Sequence, residues 1–210
     1  MSRARGQAER LADNVIHVIG VSGGIVAVAA LLTAAFVWLP AYTTLSLAVY
    51  GLALVAMVSC SAAYNMATRL AWKRFLQRLD HAAIFLKIAG TYTPFTALIG
   101  GASATIVLVV VWVVALAGVA GKLLLPSTWD RVAIPMYLAL GWVGIFIMGP
   151  LTASLSTLAV ILLVAGGVLY SVGVLFHLWR SLPYQNAIWH AFVLIATGCH
   201  FAAISTAMFG

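Results

Sequence analysis

Acid is what this chain has least of. Glu9, Asp13, Asp80 and Asp130 are its four carboxylates in 210 residues, against eleven Lys and Arg. Charged residues of both signs make up only 7% of the sequence, whereas apolar residues make up 64% and the mean hydropathy is +1.12. That balance excludes an ordinary soluble domain, which carries about 25% charged residues. The two cysteines, Cys60 and Cys199, lie inside apolar runs without metal or redox spacing and read as buried thiols. The formal charge of +7 raises the question of nucleic acid. The basic residues, however, sit between apolar runs and form no polar stripe, so no nucleic-acid partner is expected. No cleavable leader is expected either, because Ser2 to Asn14 is polar and the first apolar run exceeds a signal h-region.

What is present is a series of apolar runs, each about long enough to cross a bilayer as a helix. We read seven spans: Asn14–Trp38, Tyr42–Thr68, Asp80–Ile99, Ser103–Leu124, Arg131–Met148, Ser154–Phe176 and Asn186–Met208. The connections are short and leave no room for a soluble domain. The expected architecture is therefore an all-α integral membrane protein, one seven-helix bundle over residues 1–210, with 1–13 as a short leading segment. Arg3, Arg5 and Arg10 precede the first span, and Arg69, Lys73, Arg74 and Arg78 join the second to the third. Lys122 and Arg131 flank the next such connection, and Arg180 lies in the last, while the turns around Pro40, Gly101 and Pro150 carry none. Positive residues stay in the cytoplasm. The amino terminus is expected inside and the carboxyl terminus outside, in the cell (inner) membrane.

With that orientation the polarity gathers at one end. Glu9, Asp13, Asn14 and His17 lie there on the first span, Ser61 and Asn65 on the second, Asp80 and His81 on the third, Asn186 and His190 on the seventh. Ser61 and Asn65 share a helix face, as do Asn186 and His190. Polar groups in membrane helices face the bundle interior, so Asn14, His17, Ser61, Asn65, Asp80, Asn186 and His190 form the candidate pocket. A blander reading stands beside each: Ser, Asn and His serve as interhelical glue worth about 0.6–2 kcal/mol per contact. Asp80 is the exception, since a carboxylate among helices needs a specific reason. Lys87 either snorkels or pairs internally. His200 lies about 15 Å along its helix from His190 and reads as a bundle contact. Pro94 is expected to kink the third span, helped by Thr91 or Thr93. Trp38, Trp72, Trp129, Trp179 and Tyr184 read as interfacial anchors, and the glycines at 166–167 and 118–121 as points of close helix approach.

The pattern resembles the hemolysin III branch of the progestin and adipoQ receptor superfamily over nearly the whole chain. The resemblance rests on Glu9 with Asn14 and His17, and on Ser61-Ala-Ala-Tyr64. It continues through Leu79-Asp80-His81 to Ala89-Gly-Thr-Tyr-Thr-Pro94, Gly141-Trp142, Gly166-Gly-Val-Leu-Tyr170 with Gly173, and Ala187-Ile-Trp-His190. It implies a seven-helix bundle and a zinc site beside the third-span aspartate, held by three imidazoles in Ser-x-x-x-His and His-x-x-x-His patterns. Here those positions hold Asn65, Asn186 and His190. A carboxamide is a poor zinc donor, so no cofactor is expected from the inherited positions. Zinc stays possible through His190 if His17 or His81 completes a rearranged set. The family associations are membrane fluidity homeostasis, with membrane lipids as partners, and lytic activity by name. The alternative they imply is zinc-dependent hydrolysis of a lipid amide, with Asp80 as general base and Ser61 either supporting the groups around the metal or contacting substrate.

Overall fold

Apolar runs form the helices, and short connections between them divide the chain. The computed structural model describes residues 6–125 and 130–210, apart from the side chains of Leu70, Asp130 and Arg131. Arg3, Arg5, Trp129 and the side chain of Arg131 lie outside the described residues. The elements are α1 (Gln7–Trp38), α2 (Ala41–Met66), α3 (Leu70–Ile99), α4 (Gly101–Leu124), α5 (Asp130–Trp142), a 3-10 turn (Val143–Ile147), α6 (Met148–Ser154), α7 (Thr157–Leu178) and α8 (Gln185–Phe209). Leu39-Pro40 separates α1 from α2. Gly100 and Gly101, with φ of 65° and 77°, make the sharp turn from α3 to α4 that residues with a β-carbon adopt only with strain. Seven stretches are long and apolar enough to cross a membrane, the fifth being α5, the 3-10 turn and α6 together. Their outward faces carry large apolar side chains such as Phe36, Leu124 and Phe146. This is a multi-pass membrane protein.

Three span boundaries differ from the sequence reading by more than three residues, and each for a physical reason. The first helix starts at Gln7 rather than Asn14. Glu9 Oε2 accepts from the Gly6 amide at 3.2 Å and satisfies one of the free donors there. The third helix starts at Leu70 rather than Asp80. Nothing between Leu70 and Leu79 breaks a helix, and its basic side chains can carry their charge outward along apolar stems. Arg78, for one, donates to the Leu123 carbonyl at 3.1 Å. Asp80 therefore lies about 15 Å inside its helix and is not its opening residue. The fifth span is broken at Val143–Ile147 and runs on to Ser154. Tyr92 holds that break: its hydroxyl accepts from the Gly144 amide at 2.7 Å and donates to the Gly141 carbonyl at 2.8 Å.

The helices form a ring in which neighbours in sequence pack together and α8 returns to α1. α3 lies inside, contributing Ala83 and Phe95 to one apolar cluster and Phe85 and Ala89 to another. It stays helical through Pro94. Thr91 and Thr93 donate to the Lys87 and Ala89 carbonyls one turn back, at 2.8 and 3.0 Å. Small residues set the closest approaches. A β-carbon on Gly118 of α4 would stand 2.5 Å from the Phe85 ring, which is fully buried and has nowhere to move. Gly118→Ala should therefore lower the unfolding free energy in detergent by about 1–3 kcal/mol. Gly23→Ala, where the added methyl meets open space, should gain up to about 1 kcal/mol from helix propensity. Equal effects at the two positions would contradict this packing.

Candidate functional site

One end of the ring opens into a cavity of about 1330 Å³. Its walls reach from Glu9, Asn65 and Tyr184 at the rim to Lys87, Thr91 and His200 deeper in the bundle. All seven side chains of the sequence-derived set, Asn14, His17, Ser61, Asn65, Asp80, Asn186 and His190, lie along it. They do not act as one cluster. Asn65 turns back on its own helix, its Nδ2 donating to the Ser61 carbonyl at 3.0 Å. Asp80 is buried on α3, accepts from the Ser61 hydroxyl of α2, and lies within electrostatic reach of His190 and Lys122. This helps answer the cost of placing a carboxylate among helices: a hydroxyl and two basic side chains surround it.

The tightest contact at this end involves Asp13, which the sequence reading placed at the rim but left out of the pocket set. Its side chain is 2% exposed, and its Oδ1 lies 2.6 Å from Nδ1 of His190, joining α1 to α8. His17, one turn further along α1, brings Nε2 to 3.8 Å from the same oxygen. The His17 and His190 ring centroids are 4.4 Å apart. Asp13, His17 and His190 thus form a triad whose donor atoms lie within 4.8 Å of one another, close enough to hold a metal ion. The signal in the sequence was the i, i+4 spacing of Asp13 and His17, which puts both on one face. Glu9 adds a second tie between the same helices: its Oε1 accepts from the Tyr184 amide at 3.2 Å, where the chain enters α8 with φ of 56°.

Two basic residues were missed or left open. Lys122, counted among the basic residues flanking the spans, turns inward and is 4% exposed; its Nζ lies 3.1 Å from His81 Nδ1. His81 is thereby engaged away from the triad. Lys87 pairs internally and does not snorkel. It is 3% exposed, its Nζ stands 3.3 Å from His200 Nδ1, and it lies over the Tyr170 ring at 4.7 Å. His200 Nε2–H donates to the Leu163 carbonyl at 3.2 Å, which leaves Nδ1 as the acceptor for the ammonium. The Tyr170 and Thr197 hydroxyls are 2.5 Å apart beside this pair. Gly166 makes the layer possible, because any β-carbon there would collide with the His200 ring.

The model of the Haemolysin-III related family matches residues 9–201. The chain belongs to that family. It is 36% identical over 199 residues to a "Hemolysin-3 homolog" of Bacillus subtilis, covering 93% of this chain and 92% of that protein. It is 34% identical over 187 residues to "Hemolysin-3" of Bacillus cereus, covering 89% and 85%. A human "Monocyte to macrophage differentiation factor" is 27% identical over 168 residues, covering 74% and 67%. The zinc site that the hemolysin III resemblance implies does not fit here as it stands. Two of its three imidazole positions carry carboxamides, and Asn65 spends its amide on its own helix.

The Lys87–His200 layer gives a direct test. His200→Ala leaves a buried ammonium without its acceptor and should cost about 3 kcal/mol of unfolding free energy. Adding Lys87→Met removes the stranded charge, so the double variant should be more stable than His200→Ala alone. Simple additivity would show that the two side chains do not interact.

Proposed function

We propose that this hemolysin III-type protein acts in membrane lipid homeostasis, holding lipid in the cavity described above, which opens to the cytoplasmic side of the inner membrane. The observation that carries the reading is the build of the cavity. Its mouth is polar, with Asp80, Ser61 and His190, while deeper walls carry the apolar Met57, Val58, Ile84, Ile88 and Val193 beside the Lys87, Thr91 and His200 side chains. That division suits an amphiphile whose head reaches acid, hydroxyl and imidazole and whose chain lies on apolar side chains. Lipid is the partner to hand for a chain embedded this way. The orientation is supported by the basic residues at the cavity end, Arg10, Arg69, Lys73, Arg74, Arg78 and Arg180.

The chemistry of the mouth is hydrogen bonding. Ser61 orients the Asp80 carboxylate, and Asp80 can accept from an amide or hydroxyl of a headgroup. Lys122 and His190 lie within electrostatic reach of it. A second reading is hydrolysis of a lipid amide, favoured by one observation, the Asp13–His17–His190 triad. Zinc bound there would polarise a carbonyl or supply activated water. In that case Asp80 serves as general base and Ser61 positions it.

Two measurements test the proposal. Lipid retained by the purified protein should fall at least several-fold in Ile84→Trp, which fills the cavity wall, while the exposed change Ile106→Trp leaves it unchanged. Equal retention in both would remove lipid from the cavity. Orientation is read by single cysteines in a background lacking Cys60 and Cys199. Thr68→Cys should label from the cytoplasm and Ser103→Cys from the opposite side. Labelling of both from one side would overturn the seven-span topology.

A further inference from the structure

We propose that Asp13, His17 and His190 hold a divalent transition metal, zinc by donor chemistry, at the seam between α1 and α8. The site deepens the second reading above, which it would supply with an electrophile. As a binding site it stands on its own geometry and does not require lipid in the cavity. It shares His190 with the site that the family resemblance implies and differs in the other two donors. That pattern draws its imidazoles from the second and seventh spans, whereas this set takes two of its three donors from the first.

Three observations point to a ligand and not to a simple ion pair. The donors are one carboxylate and two imidazoles, the types zinc accepts, and three protein donors with an open fourth position is the usual catalytic arrangement. The spacing is right: tetrahedral donors stand about 3.3 Å apart around zinc. Asp13 Oδ1 is 2.6 Å from His190 Nδ1 and 3.8 Å from His17 Nε2, so both contacts reach that spacing by shifts of well under an ångström. The third observation is His17 itself. It is 5% exposed, and its Nε2 has no hydrogen-bond partner among the described residues. A buried ring nitrogen that faces a carboxylate from beyond hydrogen-bond reach is a donor that a shared cation would satisfy.

The metal would take the place of the proton between Asp13 and His190 and draw His17 into the same shell. It would tie the first membrane helix to the last at the cavity mouth, beside the tie Glu9 makes to Tyr184. Asn65 and Asn186, at the positions the resemblance gives to imidazoles, are not needed for it. His81 is not needed either, since it faces Lys122.

The test is metal stoichiometry on the full chain, purified with a tag free of histidine, incubated with zinc and passed through a desalting column. Wild type should retain about one zinc per chain by mass spectrometry. His17→Ala and Asp13→Asn should each lower retention at least tenfold, while His81→Ala leaves it unchanged. Cobalt in place of zinc supplies a readout that does not depend on variants folding: wild type should show the intense visible bands of a tetrahedral nitrogen–oxygen site. Absence of zinc from folded wild type would overturn the site. So would equal retention in His17→Ala, or cobalt bands of six-coordinate character. Lipid content measured on the same samples separates the readings, because loss of metal with lipid retained strikes only this site, and the reverse strikes only the lipid-holding cavity.

Discussion

The ring of helices closes where α1 meets α8, and the tightest polar contact there is the buried Asp13 carboxylate against the His190 imidazole. In hydrocarbon a lone carboxylate is expensive and a lone imidazole is a lost hydrogen bond. Each therefore fixes the other, and with them the first and last helices. The rest of the mouth follows. Glu9 secures the entry to α8 through the Tyr184 amide, His17 is carried in on the same face of α1, and His190 is set within electrostatic reach of Asp80. A chain with so few acids places the three whose side chains are described, Glu9, Asp13 and Asp80, around one opening.

Below the mouth a second polar layer obeys the same rule with the opposite charge. Lys87 is accepted by His200 and covered by Tyr170, and His200 is fixed by the Leu163 carbonyl. Small residues make both close packing and polarity possible. Gly166 leaves room for the His200 ring, and Gly118 leaves room for Phe85. In a bilayer, where apolar surface gains little from meeting apolar surface, such close approaches and buried hydrogen bonds carry much of the helix association.

The spans were legible because a bilayer demands long apolar runs, and the family because its motifs are long. The collection of polar residues at one end could be read from helix periodicity alone. Where α1 and α3 begin could not, because the residues before Asn14 and Asp80 mix charge with apolar stems and read as loop. Helix propensity and outward-reaching basic side chains extend both helices. The break after Trp142 was invisible for another reason: it is held by Tyr92, 52 residues away from Gly144. The pairing of Asp13 with His190 spans 177 residues. Periodicity puts Asp13 and His17 on one face but cannot say which helix that face meets. Asn65 and Asn186 stand where the resemblance implies imidazoles, whereas the donors that come together are Asp13 and His17 of the first helix and His190 of the last.

The cavity mouth depends most on Asp13 and His190 acting as a pair. The direct measurement is a double-mutant cycle on the unfolding of metal-free protein in detergent, with Asp13→Ala, His190→Ala and both together. A buried, charge-assisted hydrogen bond predicts a coupling of about 1.5–3 kcal/mol, with the double variant losing much less than the sum of the single losses. Additivity within about 0.5 kcal/mol would mean that α1 and α8 are not joined there, and the mouth built on that contact would fall with it.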